Sequence, residues 1–102
     1  MVLHGIEIPE DRIADFCRQN HIRKLALFGS ILTDEFGPQS DVDVLVEFRP
    51  RRGPGFFGLM GMQDELSGIL GRTVDLNTRY FLHERFRGEV EAEAHVVYAE
   101  GK

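Results

Sequence analysis

The chain has 102 residues, a length suited to one domain with one modest core. Its 42% hydrophobic and 28% charged residues are ordinary for a globular protein, and a net charge of −5 argues against direct nucleic-acid binding, which needs a basic face. A single cysteine, Cys17, excludes an internal disulfide and fits a reducing cytoplasm, with no signal peptide and no apolar run of membrane-spanning length.

Residues 1–8 read as a short lead-in. Pro9 stands where helices like to start, and Glu10 and Asp11 suit a first turn through the helix dipole. Ile13, Phe16 and Cys17 share one face at helical spacing, so residues 9–19 read as an amphipathic helix with Cys17 as a small core residue. His4 and His21 read as surface or turn residues. Asn20-His21 ends the helix, and Arg23–Phe28 reads as a buried strand ending at Gly29-Ser30.

Gly29 allows the backbone to turn sharply and to approach a ligand closely. Ser30 suits the N-cap of a short helix over Ile31–Glu35, whose free amides would attract an anion. Gly37-Pro38-Gln39-Ser40 is a turn that delivers the chain to Asp41-Val42-Asp43 and the apolar run Val44–Val46. On a strand, residues two apart face the same side, so Asp41 and Asp43 project together, opposite Val42, Val44, Val46 and Phe48. Two adjacent carboxylates resist ionising unless a positive charge sits between them, and Mg²⁺ with substrate phosphates is the usual remedy. A phosphate cradle beside paired carboxylates points to chemistry on a nucleoside triphosphate. A calcium loop does not fit, because the fifth, sixth and twelfth positions counted from Asp41 are Leu45, Val46 and Arg52. No Walker A sequence is present, since the Gly53–Gly58 spacing is followed by Leu59 instead of Lys.

Arg49 to Gly55 is rich in turn formers and positive charge and reads as an irregular, mobile loop. Arg51 and Arg52 are read either as a solvated basic loop or as charges for phosphates or an acidic partner. Leu59, Met62, Leu66, Ile69 and Leu70 recur at helical spacing, giving a helix over about 57–70 with Gly71 as its C-cap. Thr73–Leu76 reads as a short strand with Asp75 on the side opposite Val74 and Leu76. Residues 78–93 read as helical and charged, and Val96–Tyr98 as a final strand.

Gly29-Ser30, a ten-residue spacer and Asp41-x-Asp43 together resemble the signature of the polymerase-β-like nucleotidyltransferases. The continuation Asp-Val-Asp-Val-Leu-Val-Glu-Phe and the short length resemble the minimal nucleotidyltransferase branch, the small partners of HEPN-domain proteins in toxin–antitoxin pairs. The resemblance runs from the first helix to Tyr98 as one domain over 1–102. It implies an α/β (α+β) fold in which a small mixed β-sheet is flanked by helices.

It further implies that Asp41 and Asp43 are metal ligands and catalytic, that Gly29 and Ser30 hold the nucleotide phosphates, and that Asp75 is the third catalytic and metal-binding acid. Glu47 competes for that last role from the same strand face, two pleats beyond Asp43. The cofactors implied are Mg²⁺, two ions, with ATP as substrate; the reaction is transfer of AMP to a hydroxyl, a tyrosine of a HEPN toxin, acting as antitoxin. The partner is then the HEPN protein, in a homo- or hetero-oligomer, in the cytoplasm. Two other readings are a non-catalytic module that neutralises a partner by covering it, and a transferase acting on a small molecule, for which the chain has little spare length.

Overall fold

The computed structural model describes residues 1–79 and 84–101. Helix α1 spans Glu10–Gln19 and buries Ile13, Phe16 and Cys17, the face expected from their spacing. Pro9 stands just ahead of the first turn as its N-cap residue. Asn20 closes the helix, its side-chain amide donating to the Phe16 carbonyl at 2.8 Å, and His21 (φ 59°) turns the chain into the sheet.

Strand β3 (Ile22–Phe28) leads to a single 3₁₀ turn over Gly29–Leu32, and β4 (Val42–Phe48) follows the spacer. Helix α2 (Phe56–Leu70) ends at Gly71, whose left-handed φ of 69° only glycine adopts without strain. Strand β5 (Val74–Thr78), helix α3 (Glu84–Glu93) and β6 (His95–Ala99) complete the order. The helical reading of 78–93 is thus corrected at its start, because the β5 ladder runs on to Thr78. Tyr80 to His83 lie outside the described residues. The lead-in expectation is corrected too: Val2–Leu3 (β1) and Ile6–Glu7 (β2) pair as a small antiparallel hairpin turned by His4 and Gly5, both at positive φ.

The main sheet has the order β5-β4-β3-β6, antiparallel except for the parallel β4–β5 pair. Its strand alternation sorts side chains onto two faces. Leu25 and Leu27, Val44 and Val46, and Val74 and Leu76 point into one core with Ile13, Phe16 and Leu66. Each such side chain contributes about 1.5–3 kcal/mol on burial. Cys17 is fully buried there, and burial pushes its thiol up to about 12, so it behaves as a small core residue.

Asp43, Leu45 and Glu47 occupy the other face, where α3 lies: Glu91 and Ala94 share a cavity of about 80 Å³ with Lys24, Ala26 and Leu45. Among the described residues no helix is long and apolar enough to cross a membrane.

Candidate active site

The site forms at one end of the sheet, where three chain segments meet. In the β3–β4 ladder Asp43 stands opposite Phe28, the residue before Gly29, and in the parallel β4–β5 ladder it stands opposite Asp75. Register alone therefore brings the Gly29 turn, Asp43 and Asp75 side by side on adjacent strands. Asp41 lies one residue ahead of β4, within electrostatic reach of Asp43. Asp43 is half-buried, and its carboxyl is raised above the usual value by burial first, then by the Asp75 and Asp41 charges.

Gly29 has φ 77° and faces Asp43 directly. A Cβ at this position would stand 2.2 Å from Asp43 Oδ2 and 3.1 Å from its Cγ. Two independent demands therefore fix glycine here: the left-handed backbone and the carboxylate against it. Ser30 departs from the expected N-cap geometry. It lies inside the 3₁₀ turn, which begins after the extended Phe28 and has no side-chain cap; the turn is four residues, shorter than the Ile31–Glu35 helix read from the sequence. The Ser30 carbonyl instead receives the Thr33 amide and hydroxyl, each at 2.9 Å. Among the described residues the Ser30 hydroxyl has no hydrogen-bond partner.

Asp75 is held by residues that sequence reasoning passed over. It sits on an edge strand whose outward amides need partners. Gln63 Oε1 accepts from the Leu76 amide at 2.9 Å and Ser67 Oγ from the Val74 amide at 3.0 Å, so α2 bonds the backbone on both sides of Asp75. The signal was present, polar residues at 63 and 67 inside an apolar helix, but only the ladder shows what they bond.

Glu47 is not part of the site. It forms an ion pair with Arg23 at the far end of β4, with Nε to Oε1 at 3.0 Å. Arg51 lies beyond that end as well, lining a groove with Phe48, Pro54 and Thr78, so it is not brought to the acids.

The three aspartates supply only carboxylate oxygen, the donor set preferred by hard divalent cations such as Mg²⁺. Among the described residues no Lys or Arg forms an ion pair with any of them. Nor do three acid, His or Cys side chains there close on a common ligand point, as mutual repulsion between like charges favours. The residues fit a divalent cation by donor chemistry, and the strand register sets Asp43 and Asp75 side by side. Beside them, Phe28–Ser30, Leu32 and Thr33 face Glu89, Val90 and Glu93 of α3 across a cleft of about 690 Å³.

A model of the nucleotidyltransferase domain matches residues 10–98, nearly the whole chain. The chain belongs to the nucleotidyltransferase domain family. Within it, the minimal branch is the one its relatives represent. Two proteins of Methanocaldococcus jannaschii named "putative protein adenylyltransferase" are similar to it: one is 35% identical over 65 residues, 64% of this chain and 65% of that protein, and another 29% identical over 83 residues, 81% and 87% respectively. The first match thus spans slightly less than two thirds of that relative's length.

Among solved structures, one of a "putative minimal nucleotidyltransferase" is 28% identical with a TM-score of 0.69, covering 83% of this chain and 85% of that one. A toxin–antitoxin complex with AMP-PNP matches at TM-score 0.72 and 19% identity, over 90% and 74%. A tri-AMPylated Shewanella oneidensis HEPN toxin in complex with MNT antitoxin matches at 0.64 and 20%, over 88% and 69%. At those identities the last two show a shared fold. The family's mixed sheet, flanked by helices, is the one this nucleotidyltransferase chain adopts.

Proposed function

We propose that this chain transfers AMP from ATP to a hydroxyl of a partner protein, a HEPN-domain toxin, and so acts as its antitoxin. The observation that carries the reading is the register of Phe28, Asp43 and Asp75 across three adjacent strands, which sets the Gly29 turn against the Asp43 carboxylate, with Asp41 just ahead of the same strand. The names of the archaeal relatives support protein adenylylation, and the toxin–antitoxin structures support the kind of partner.

In this reading Asp41, Asp43 and Asp75 hold divalent metal, Mg²⁺, which when bound neutralises phosphate charge and stabilises the attacking and leaving oxygens. Gly29 lets the turn lie directly against the Asp43 carboxylate, and the Ser30 hydroxyl is available to donate to a phosphate. Glu35, Glu89 and Glu93 line the same cleft, so an anionic triphosphate belongs at its Gly29–Ser30 end. The acceptor hydroxyl oxygen bonds to the α-phosphorus as the bond from that phosphorus to the pyrophosphate oxygen breaks. In this reading Asp75, which is exposed on the edge strand, takes the hydroxyl proton. Its position at the edge also leaves it open to an acceptor carried by another protein. The single cysteine, buried and protonated, suits a reducing cytoplasm.

Thermal unfolding tests the site. Mg²⁺ and ATP together are expected to raise the melting temperature more than either alone, since a ligand that binds only the folded state stabilises it. Asp43→Asn, nearly isosteric, is expected to lose the Mg²⁺-dependent part of that shift. An unchanged shift in Asp43→Asn places the metal and nucleotide elsewhere and overturns the reading.

A further inference from the structure

We infer that Arg72 is a positioning residue for Asp41, acting by locking the spacer that joins the two halves of the signature. The functional half of this inference rests on the reading of Asp41 as a metal ligand. The lock itself is geometric.

Beyond Leu32 the spacer has no helix or strand of its own, and an irregular loop of that length is ordinarily a poor support for a ligand that must be placed accurately. Here it is tied down. Arg72 Nη2 stands 2.6 Å from the Ser40 carbonyl oxygen, 2.9 Å from that of Gly37 and 3.4 Å from that of Pro38. One such nitrogen carries two hydrogens, so the two short contacts are the bonds and Pro38 is peripheral. The guanidinium also lies over the Phe36 ring, 4.7 Å from its centroid, and Phe36 is only 9% exposed. The His4 ring packs on Phe36 at 5.1 Å, while His4 Nε2 bonds the Ile31 carbonyl at 3.0 Å.

One residue further on, the Thr73 carbonyl accepts the Val42 amide at 2.9 Å. Ser40 and Val42 flank Asp41, so the backbone on both sides of that acid is bonded to the consecutive residues Arg72 and Thr73. Among the described residues the Asp41 carboxylate itself accepts no hydrogen bond, so the backbone sets its place. The same short segment ends at Asp75. Arg72 therefore fixes the first acid relative to the third, a task that needs both a planar stacking group and paired donors, which lysine supplies only in part.

The test uses the whole chain and two readouts. In the metal-free protein, amide exchange at Ser40 and Val42 is expected to be at least about tenfold faster in Arg72→Met than in the wild type, with β3 and α2 amides unchanged. With ATP present, Mn²⁺ uptake followed by electron paramagnetic resonance is expected to be about tenfold weaker in Arg72→Met and intermediate in Arg72→Lys. A merely structural role would lower protection throughout the core and leave no graded metal effect. Wild-type exchange at Ser40 and Val42, or wild-type Mn²⁺ affinity, in Arg72→Met overturns the inference while the functional reading stands. Should Arg72→Met also lose core protection, Arg72→Lys decides by the same criteria. If the wild type itself takes up no Mn²⁺ with ATP, the functional reading fails, and the role assigned to Arg72 through Asp41 fails with it.

Discussion

Gly29 and Asp43 constrain each other, and each constraint has a measurable cost. A methyl group at Gly29 meets the Asp43 carboxylate at 2.2 Å and forces a non-glycine residue into φ 77°. Left-handed backbone in a non-glycine residue costs about 1–3 kcal/mol. Gly29→Ala is therefore expected to destabilise the chain by about that much in urea unfolding and to abolish ATP-dependent stabilisation. Full stability with normal nucleotide binding would mean that the turn tolerates a side chain.

Asp43 gives a second prediction at this scale. Its carboxyl is raised above 3.8 by burial, then by Asp75 and Asp41. A group whose pKa is raised on folding binds protons more tightly in the folded state. Its contribution is fully present below pH 3.8 and is lost as pH rises through the raised value. Metal-free Asp43→Asn should accordingly be the more stable protein at neutral pH, by on the order of a few degrees, and lack this pH dependence. Equal stability profiles for the two proteins would show that Asp43 feels no such burden.

At the scale of elements, the placement of Asp75 depends on α2 as much as on β5. Gln63→Met keeps the volume of the side chain but removes the acceptor for the Leu76 amide, a residue only 4% exposed. Leaving that donor unpaired is expected to cost about 1–3 kcal/mol in denaturant unfolding; no change would mean that β5 is held without this bond.

The elements themselves were largely legible. Ile13, Phe16 and Cys17 announced α1, the Val42–Val46 alternation announced β4 and its acidic face, and Gly71 announced the end of α2. Each of these is a local pattern. The β1–β2 hairpin was not legible because strands of two residues carry no period. The Ser30 cap failed because the 3₁₀ turn already begins at Gly29, with Phe28 in the capping position and Ser30 inside the turn. The partners of Gln63, Ser67 and Arg72 lie 7 to 35 residues away in sequence, so only the assembled ladder reveals them.

For the molecule as a whole, the division of labour runs between the two faces of one sheet. One face carries the core under α1 and α2. The other, with α3 over it, carries the acids at one end, and Asp75 stands exposed on the edge strand. The direct measurement is the intact mass of a HEPN-domain partner after incubation with this chain, ATP and Mg²⁺. Added adenylyl mass on the partner is expected, with pyrophosphate released in step, and both lost in the Asp41→Asn, Asp43→Asn double variant. A partner that is bound and neutralised yet gains no mass, equally by wild type and double variant, would contradict the enzyme reading and leave a binding module in its place.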